Sequence, residues 1–431
     1  MSARVARDRR FVALRALLRD VMARSRFYRD FYHAAGIDVG EEFLAGLPQG
    51  FHELPILETR HLLERADDLR LEGEDYFRVT CSGGTLNAPK ILYRTAADWA
   101  KSVANMATVL SLAGVRSGDV LLIAQPLDIW GVGYLALDAC KLLRCMAVPA
   151  GIHVEADQMA HLIERFQVNA AFASPSLWRR VTESAERQSR LRHLRVLVAG
   201  EKLYAADREY LADYWRGGVY NLYGSEETDA LAAECDAHDG LHLLEHAYLL
   251  ELMQEDHCLE QTADSTTTGE LLVTSCYHRG TPLIRYHLGD IVEISRSHRP
   301  CRCGRQGAKL VVIGKSTQCV TLFDATKLYT YQLDAVLEQI IGRGVSYQLL
   351  VEDAEDAIVR ERVTLLVMAE DVAGIGTERL RAALAASSLD FADTVRSNQV
   401  DLRVNASRPP IGATAKGKWQ KIVDRRKRPR S

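Results

Sequence analysis

The sequence predicts an α/β protein: a large N-terminal domain with parallel α/β sheet layers and a β-rich lobe, followed by a small α+β C-terminal domain. Three observations carry that reading. Between residues 95 and 224, short apolar runs alternate with amphipathic segments, the pattern of βαβ units that build a parallel sheet covered on both faces. After Gly224, strand-like segments follow one another closely across polar turns, which is antiparallel behaviour. From Lys309 onward, short strands alternate with helices over roughly a hundred residues. A chain of 431 residues exceeds one compact domain, and the boundary is expected near Gly314, giving domains 1–314 and 315–431.

Thr95 is a cap for a helix that places Trp99, Val103, Met106 and Leu110 on one face and stops at Gly114. Val120 to Ala124 then reads as a buried strand, as do Cys145 to Pro149, Ala170 to Ser174, Val196 to Ala199 and Val219 to Tyr223. Amphipathic segments at Glu155 to Phe166 and Ala205 to Trp215 supply helices between them. Leu241 to Met253, Gly269 to Thr274 and Leu283 to Ile294 are the antiparallel strands. In the third region, strands are expected at Lys309 to Ile313, Ser346 to Val351, Val363 to Met368 and Val400 to Val404, with helices at Tyr331 to Ile341 and Thr377 to Ala386.

Composition narrows the function. With 54 Lys+Arg, 57 Asp+Glu and a net charge of −3, the chain lacks the excess positive charge that replaces phosphate counterions in a general nucleic-acid binder. The basic run at Arg425 to Ser431 reads as a solvated tail. No apolar stretch is long enough to span a bilayer, and MSARVARDRR has no apolar segment behind its basic residues. A cytoplasmic protein is expected. Nine cysteines in so long a chain argue against a disulfide framework.

Four segments are candidates for chemistry. Thr80 to Lys90 contains Ser82-Gly83-Gly84-Thr85 between two strand-like runs, where converging N–H groups and hydroxyls suit a polyphosphate. Asn221 to Glu227 closes the last parallel strand, the end at which such sheets bind ligands. There Tyr223 offers a ring for a base, and a carboxylate beyond Gly224 suits Mg²⁺. In Pro282 to Asp290, an Asp after a Gly suits the two hydroxyls of a ribose, and Lys418 follows Gly417 in a polar loop, where an ammonium would stabilise developing phosphoryl charge.

Taken in order, these segments resemble the adenylate-forming enzymes of the phenylacetate-CoA ligase branch. Ser25-Arg26-Phe27-Tyr28 with Leu54-Pro55-Ile56-Leu57, Ala199-Gly200-Glu201 and Cys301-Arg302-Cys303-Gly304-Arg305 extend the resemblance nearly end to end. It implies an AMP-forming acid ligase: a small carboxylic acid attacks ATP to give an acyl-adenylate and pyrophosphate, and coenzyme A then displaces AMP. Carried over residue by residue, Ser82, Gly83, Gly84, Thr85, Gly200, Glu201, Tyr223, Gly224, Ser225 and Asp290 contact ATP. Glu227 binds Mg²⁺, Lys418 bridges the reacting groups, and Lys315 stands where the family has a phosphate-facing arginine. The small domain is expected to be mobile, rotating between half-reactions, and a homodimer is the implied assembly. Trp130, Gly131 and Tyr134 resemble the aromatic-acid pocket.

The chain departs from the family at several points. Thr85-Leu86-Asn87 lacks one hydroxyl and one glycine of the phosphate loop, Glu226 adds a negative charge beside ATP, Gly314-Lys315-Ser316-Thr317-Gln318 differs from the usual hinge run, and the segment Phe323 to Lys327 lacks the family's glycine-rich small-domain turn. An amine or a carrier-protein thiol as acceptor fits these changes, and a non-catalytic nucleotide-binding relative is the alternative from another class. Cys235, Cys301 and Cys303 with His238 or His242 form a set for structural Zn²⁺, leaving no open position for a catalytic water. The resemblance selects His242.

Overall fold

In a computed structural model, residues 3–82, 89–187, 193–254, 257–259, 264–316, 318–322, 327–342, 345, 347–354, 359, 361–367, 374–387, 392, 400–406 and 421–426 are described. Their contacts form two units. Met1–Leu203, Arg208–Leu288 and Val292–Val312 make the first, and Tyr204–Asp207, Gly289–Ile291 and Ile313–Ser431 the second.

The first unit opens with the helix Ala3–Arg24, whose Leu14, Leu17, Leu18 and Val21 are buried at helical spacing. A hairpin follows, β1 (Tyr76–Ser82) against β2 (Lys90–Thr95), with Thr80 opposite Leu92 and Ser82 opposite Lys90. Thr95 then caps Ala96–Leu112 in a reciprocal box: its hydroxyl accepts from Asp98 N–H, and Asp98 accepts from Thr95 N–H, both at 3.1 Å. The same buried carboxylate accepts the N–H groups of Arg279 (2.9 Å) and Gly280 (2.8 Å). A local helix signal is thereby tied to a loop far along the chain.

The parallel half of the main sheet comprises β3 (Val120–Ile123), β4 (Met146–Pro149), β5 (Ala170–Ala173), β6 (Leu194–Val198) and β7 (Arg216–Ser225), ordered β7-β6-β5-β3-β4. Side chains alternate along a strand, and here both faces are covered. Leu121, Ile123, Ala170 and Phe172 pack with Trp99, Val103, Met106 and Leu135 on one side. Leu122, Ala171, Ala173 and Val196 pack with Ile163, Trp178 and Trp215 on the other. The sheet continues as β8 (Asp229–Ala233), β9 (Leu241–Leu243), β10 (Tyr248–Gln254), β11 (His257–Leu259), β12 (Thr266–Ser275), β13 (Tyr286–Ser295) and β14 (Lys309–Lys315). The full order is β11-β10-β12-β13-β14-β9-β8-β7-β6-β5-β3-β4. β7 is the seam, parallel to β6 and antiparallel to β8.

The second unit has the pair β15 (Cys319–Thr321) and β16 (Lys327–Tyr329) and a sheet of β17 (Tyr347–Asp353), β18 (Glu361–Val367), β19 (Val400–Ala406) and β20 (Ile422–Asp424), ordered β19-β18-β17-β20. Helices Thr330–Ile341 and Thr377–Ser387 accompany it. Leu333, Val336, Leu337, Leu380 and Leu384 close its core over Leu349, Val351, Val363 and Leu365.

The parallel layers and the β-rich lobe are present as expected, joined in one continuous sheet because β7 outruns β6 and pairs β8 along its far end. Two expectations are corrected. Lys309 to Ile313 belongs to that sheet rather than to the third pattern, with Lys309 opposite His242 and Leu310 opposite Leu241. Leu241 to Met253 is two strands, broken where Ala247 N–H turns back to the Leu244 carbonyl.

Candidate functional site

The tight turn between β7 and β8 places the acids expected at the end of the parallel sheet. Gly224 is required there, since a Cβ would lie 2.0 Å from the Asp229 carbonyl oxygen. Ser225 and Thr228 lock the turn, each hydroxyl accepting the other's backbone N–H at 3.2 Å. Glu227 is buried inside it, ion-paired with Lys90 of β2 and 3.5 Å from the Tyr286 hydroxyl. Burial works to raise the Glu227 carboxyl, but the Lys90 ammonium overrides it and holds the group below the usual range. Glu227 is therefore an anion in a dry site. Glu226 takes a separate direction: its carboxylate accepts the Gly131 N–H at 2.9 Å, at the start of the helix Val132–Leu143, where the helix dipole favours an anion.

Behind this turn lies a buried charge network. Arg94 of β2 hydrogen-bonds Asp229 at 3.0 Å and the Glu226 carbonyl, and contacts His278 at 3.1 Å. Asp229, with φ of 55°, also accepts from Ser102 at 2.5 Å. Burial pushes Asp229 up, and Arg94 together with the His278 and Ser102 contacts brings it below its ordinary value.

Trp130 and Tyr134 line a cavity of about 250 Å³ with Arg78, Val79, Thr80, Asp128 and Ile129. Gly131 stands beside it, its absent Cβ 3.4 Å from Thr80 Cγ2 and 3.3 Å from Glu226 Oε2. Ser82 ends β1 next to the expected phosphate loop. Gly83, Gly84, Thr85, Leu86 and Asn87 lie outside the described residues, as do Thr317, residues 323–326, Gly417 and Lys418.

Gly200 has φ of 84°, and Glu201 caps the helix Pro175–Arg187 through Ser176 N–H (3.1 Å) and Ser176 Oγ (3.0 Å). Tyr223 is half-buried on β7 opposite Ala232. In the second unit, Asp290 is buried and paired with Lys315 Nζ at 2.6 Å.

Cys235, His242, Cys301 and Cys303 present ligand atoms that all lie within 4.8 Å of one another. Cys235 and Cys301 sulfurs are 3.7 Å apart, and Cys303 Sγ is 3.4 Å from His242 Nε2. A tetrahedron with metal–sulfur arms of about 2.3 Å has edges of about 3.8 Å, so the donor set fits Zn²⁺. Burial, then Lys309 and Arg305, lower the His242 imidazole, keeping it in the neutral form a metal requires. His238 is engaged elsewhere, near Arg208 (3.4 Å) and Glu234 (3.6 Å). A second group, His52, Glu251 and Cys258, already has the Arg285 guanidinium against it.

Lys90, Arg94, Asp229 and His278 were not anticipated. Lys90 closes the glycine-rich segment, so a cation beside the expected phosphate loop was there to be read. The other three are separated by up to 184 residues, and no local signal joins them.

Residues 53–247 match the family described as AMP-binding enzyme. A phenylacetate-coenzyme A ligase of Thermus thermophilus is 25% identical over 354 residues, covering 78% of this chain and 76% of that protein. Among solved structures, a 2-hydroxyisobutyryl-CoA ligase in its postadenylation state with 2-HIB-AMP aligns with a TM-score of 0.75 and 19% identity, covering 98% of this chain and 90% of that one. An amide bond synthetase from Marinactinospora thermotolerans aligns at 0.55 and 21% identity, covering 80% of this chain and 67% of that one.

Proposed function

We propose that this chain, whose residues 53–247 match the AMP-binding enzyme family, activates a small carboxylic acid with ATP, in the manner of the phenylacetate-CoA ligase branch, and passes the acyl group to coenzyme A. The single observation that carries the proposal is the buried, ionised Glu227–Lys90 pair at the end of the last parallel strand, where open α/β sheets bind ligands.

In the first step a carboxylate oxygen of the acid attacks the α-phosphorus of ATP, and the bond to pyrophosphate breaks. In the second, the acceptor sulfur attacks the acyl carbon, the bond to AMP breaks, and the thiol proton passes to solvent. Glu227 would hold Mg²⁺, which when bound neutralises phosphate charge. Lys90 would exchange its carboxylate partner for a phosphate oxygen, Ser82 Oγ would donate to the phosphates, and Asp290 would accept the ribose hydroxyls. Lys418, on the small domain, would place its ammonium on the α-phosphate. The cavity beside Trp130, Gly131 and Tyr134 would take the acid. The four-ligand Cys235/His242/Cys301/Cys303 set would hold Zn²⁺ as a structural clip between β9 and the segment before β14. No helix among the described residues is long and apolar enough to cross a membrane.

The test is carboxylate-dependent ATP–pyrophosphate exchange over a panel of aromatic and short aliphatic acids without acceptor. Exchange with any acid is the expected result, and none across the panel, with ATP binding shown separately, refutes adenylation. An amine acceptor is the second reading, supported by the fold likeness to an amide bond synthetase. Product with an amine and none with coenzyme A would select it.

A further inference from the structure

One face of β1 carries three buried donors in a row. Arg78, Thr80 and Ser82 share that face because strand side chains alternate. Arg78 Nη1, Thr80 Oγ1 and Ser82 Oγ are each buried with no hydrogen-bond partner among the described residues. Thr80 is only 1% exposed. Leaving a buried donor unpaired forfeits its hydration with nothing in return, so a run of them marks a surface that a ligand completes.

Ser82 stands at the expected phosphate loop. Arg78 lies four residues back, roughly 13 Å along the strand, in the wall of the cavity of about 250 Å³ that Thr80, Trp130 and Tyr134 also line. That volume is below the roughly 300–1,000 Å³ of pockets for drug-sized ligands, which suits one small acid. The Arg78 guanidinium is clamped between two rings, 4.2 Å from the centroid of Trp99 and 4.5 Å from that of Tyr134. Stacking fixes its plane and leaves its N–H edge to donate.

Among the described residues no neighbouring carboxylate hydrogen-bonds Arg78 Nη1, although the guanidinium charge helps to lower the Asp138 carboxyl. Asp138 accepts Trp99 Nε1 and Lys141 Nζ, both at 2.9 Å. Asp128, on the cavity lining, has more than half its side chain in solvent and lies 4.0 Å from His153. Glu226 spends an oxygen on the Gly131 N–H.

We infer that the acid this cavity takes is a dicarboxylic acid, its second carboxylate bound by Arg78 Nη1 and Thr80 Oγ1 at the end remote from the reacting one. The inference rests on the adenylation reading above and specifies its substrate class. Aromatic walls at Trp130 and Tyr134 favour a flat ring carrying both acids.

The experiment compares matched acids in pyrophosphate exchange with the full chain: benzoate against isophthalate, phenylacetate against 4-carboxyphenylacetate, and butyrate against glutarate. The diacid of at least one pair is expected to win by about tenfold or more in kcat/KM, the scale of one hydrogen bond to a charged group. Arg78→Met should bring that ratio to about one and Thr80→Val should lower it several-fold; a ratio taken within one protein is insensitive to how much of the variant is folded. Thr80→Val, which keeps the side-chain shape, carries the test where Arg78→Met does not fold. Equal rates for both members of every pair, or a ratio unmoved by the variants, overturns the inference and leaves adenylation standing. Absence of exchange with every acid overturns adenylation itself, and the inference falls with it.

Discussion

Replacing Arg94 by Met removes the cation from the network that backs the β7–β8 turn. The guanidinium is 1% exposed and holds Asp229, itself buried, at 3.0 Å, together with the Glu226 carbonyl. Taking one partner from a buried ion pair leaves the other charge uncompensated, at a cost of about 3–5 kcal/mol. The penalty has a pH signature. In the parent, the Asp229 carboxyl is depressed when folded, so its contribution is present above its unfolded value of about 3.9 and is lost as pH falls through the folded value. Without Arg94, Asp229 loses the largest influence that lowers it, and its folded carboxyl rises, with His278 and Ser102 still opposing burial. The variant's native state then holds its proton to higher pH than the parent's, so its deficit grows as pH rises from the parent's folded value through the variant's. Urea unfolding followed by tryptophan fluorescence reports this, since Trp99, Trp130, Trp178 and Trp215 all lie in the first unit. Asp229→Asn should cost a similar amount, and the double variant less than the sum. Exchange activity should fall with a raised Mg²⁺ requirement, because the freed Glu226 carbonyl loosens the turn carrying Glu227. A deficit under about 1 kcal/mol at pH 7, or additive single and double variants, would refute the network as a coupled unit.

Protein purified without added metal should contain close to one equivalent of zinc per chain, and Cys301→Ser should lose it and melt lower; full zinc with unchanged melting would remove the site. Gly224→Ala puts a methyl 2.0 Å from the Asp229 carbonyl oxygen and should destabilise by about 1–3 kcal/mol while abolishing exchange, as read by melting and exchange together. Lys418→Ala should cut exchange by orders of magnitude with ATP binding, measured by equilibrium dialysis, nearly intact; unchanged exchange would take Lys418 out of the mechanism.

What the sequence made legible was local. Thr95 and Asp98 are three apart, so their capping box is written in adjacent letters and the helix follows. Apolar runs marked β3, β5 and β6 because burial on both faces leaves little polar alternation to confuse them. The run Leu241 to Met253 misled for the same reason: Leu244 and Ala247, in the turn, are as buried as the strands beside them. The helix Ala3–Arg24 carried a periodic signal at Leu14, Leu17, Leu18 and Val21 that its many arginines obscured. Arg94, Asp229 and His278 each resemble surface charge in isolation, and only the packing of β2 against the β7–β8 turn brings them together. Of the four residues that meet from 235–242 and 301–303, the cysteines were legible from their Cys-x-Cys spacing and Cys235, while the choice of His242 over His238 came from the family resemblance.

Adjacent acids at Glu226 and Glu227 look, in sequence, like an excess of negative charge at the end of the sheet. The structure compensates them separately. Glu227 faces Lys90 across the hairpin, while Glu226 faces the N-terminus of Val132–Leu143 through the Gly131 N–H. Two carboxylates drawn by two positive ends in different directions repel each other less than a pair sharing one site. The arrangement also divides labour along the turn: Glu227 is held ionised on the side of β2, and Glu226 braces the loop that carries Trp130 into the cavity wall. A hydroxyl at position 226 is too short to make the second contact. The longer acid therefore couples the turn that would hold the metal to the wall that would select the acid.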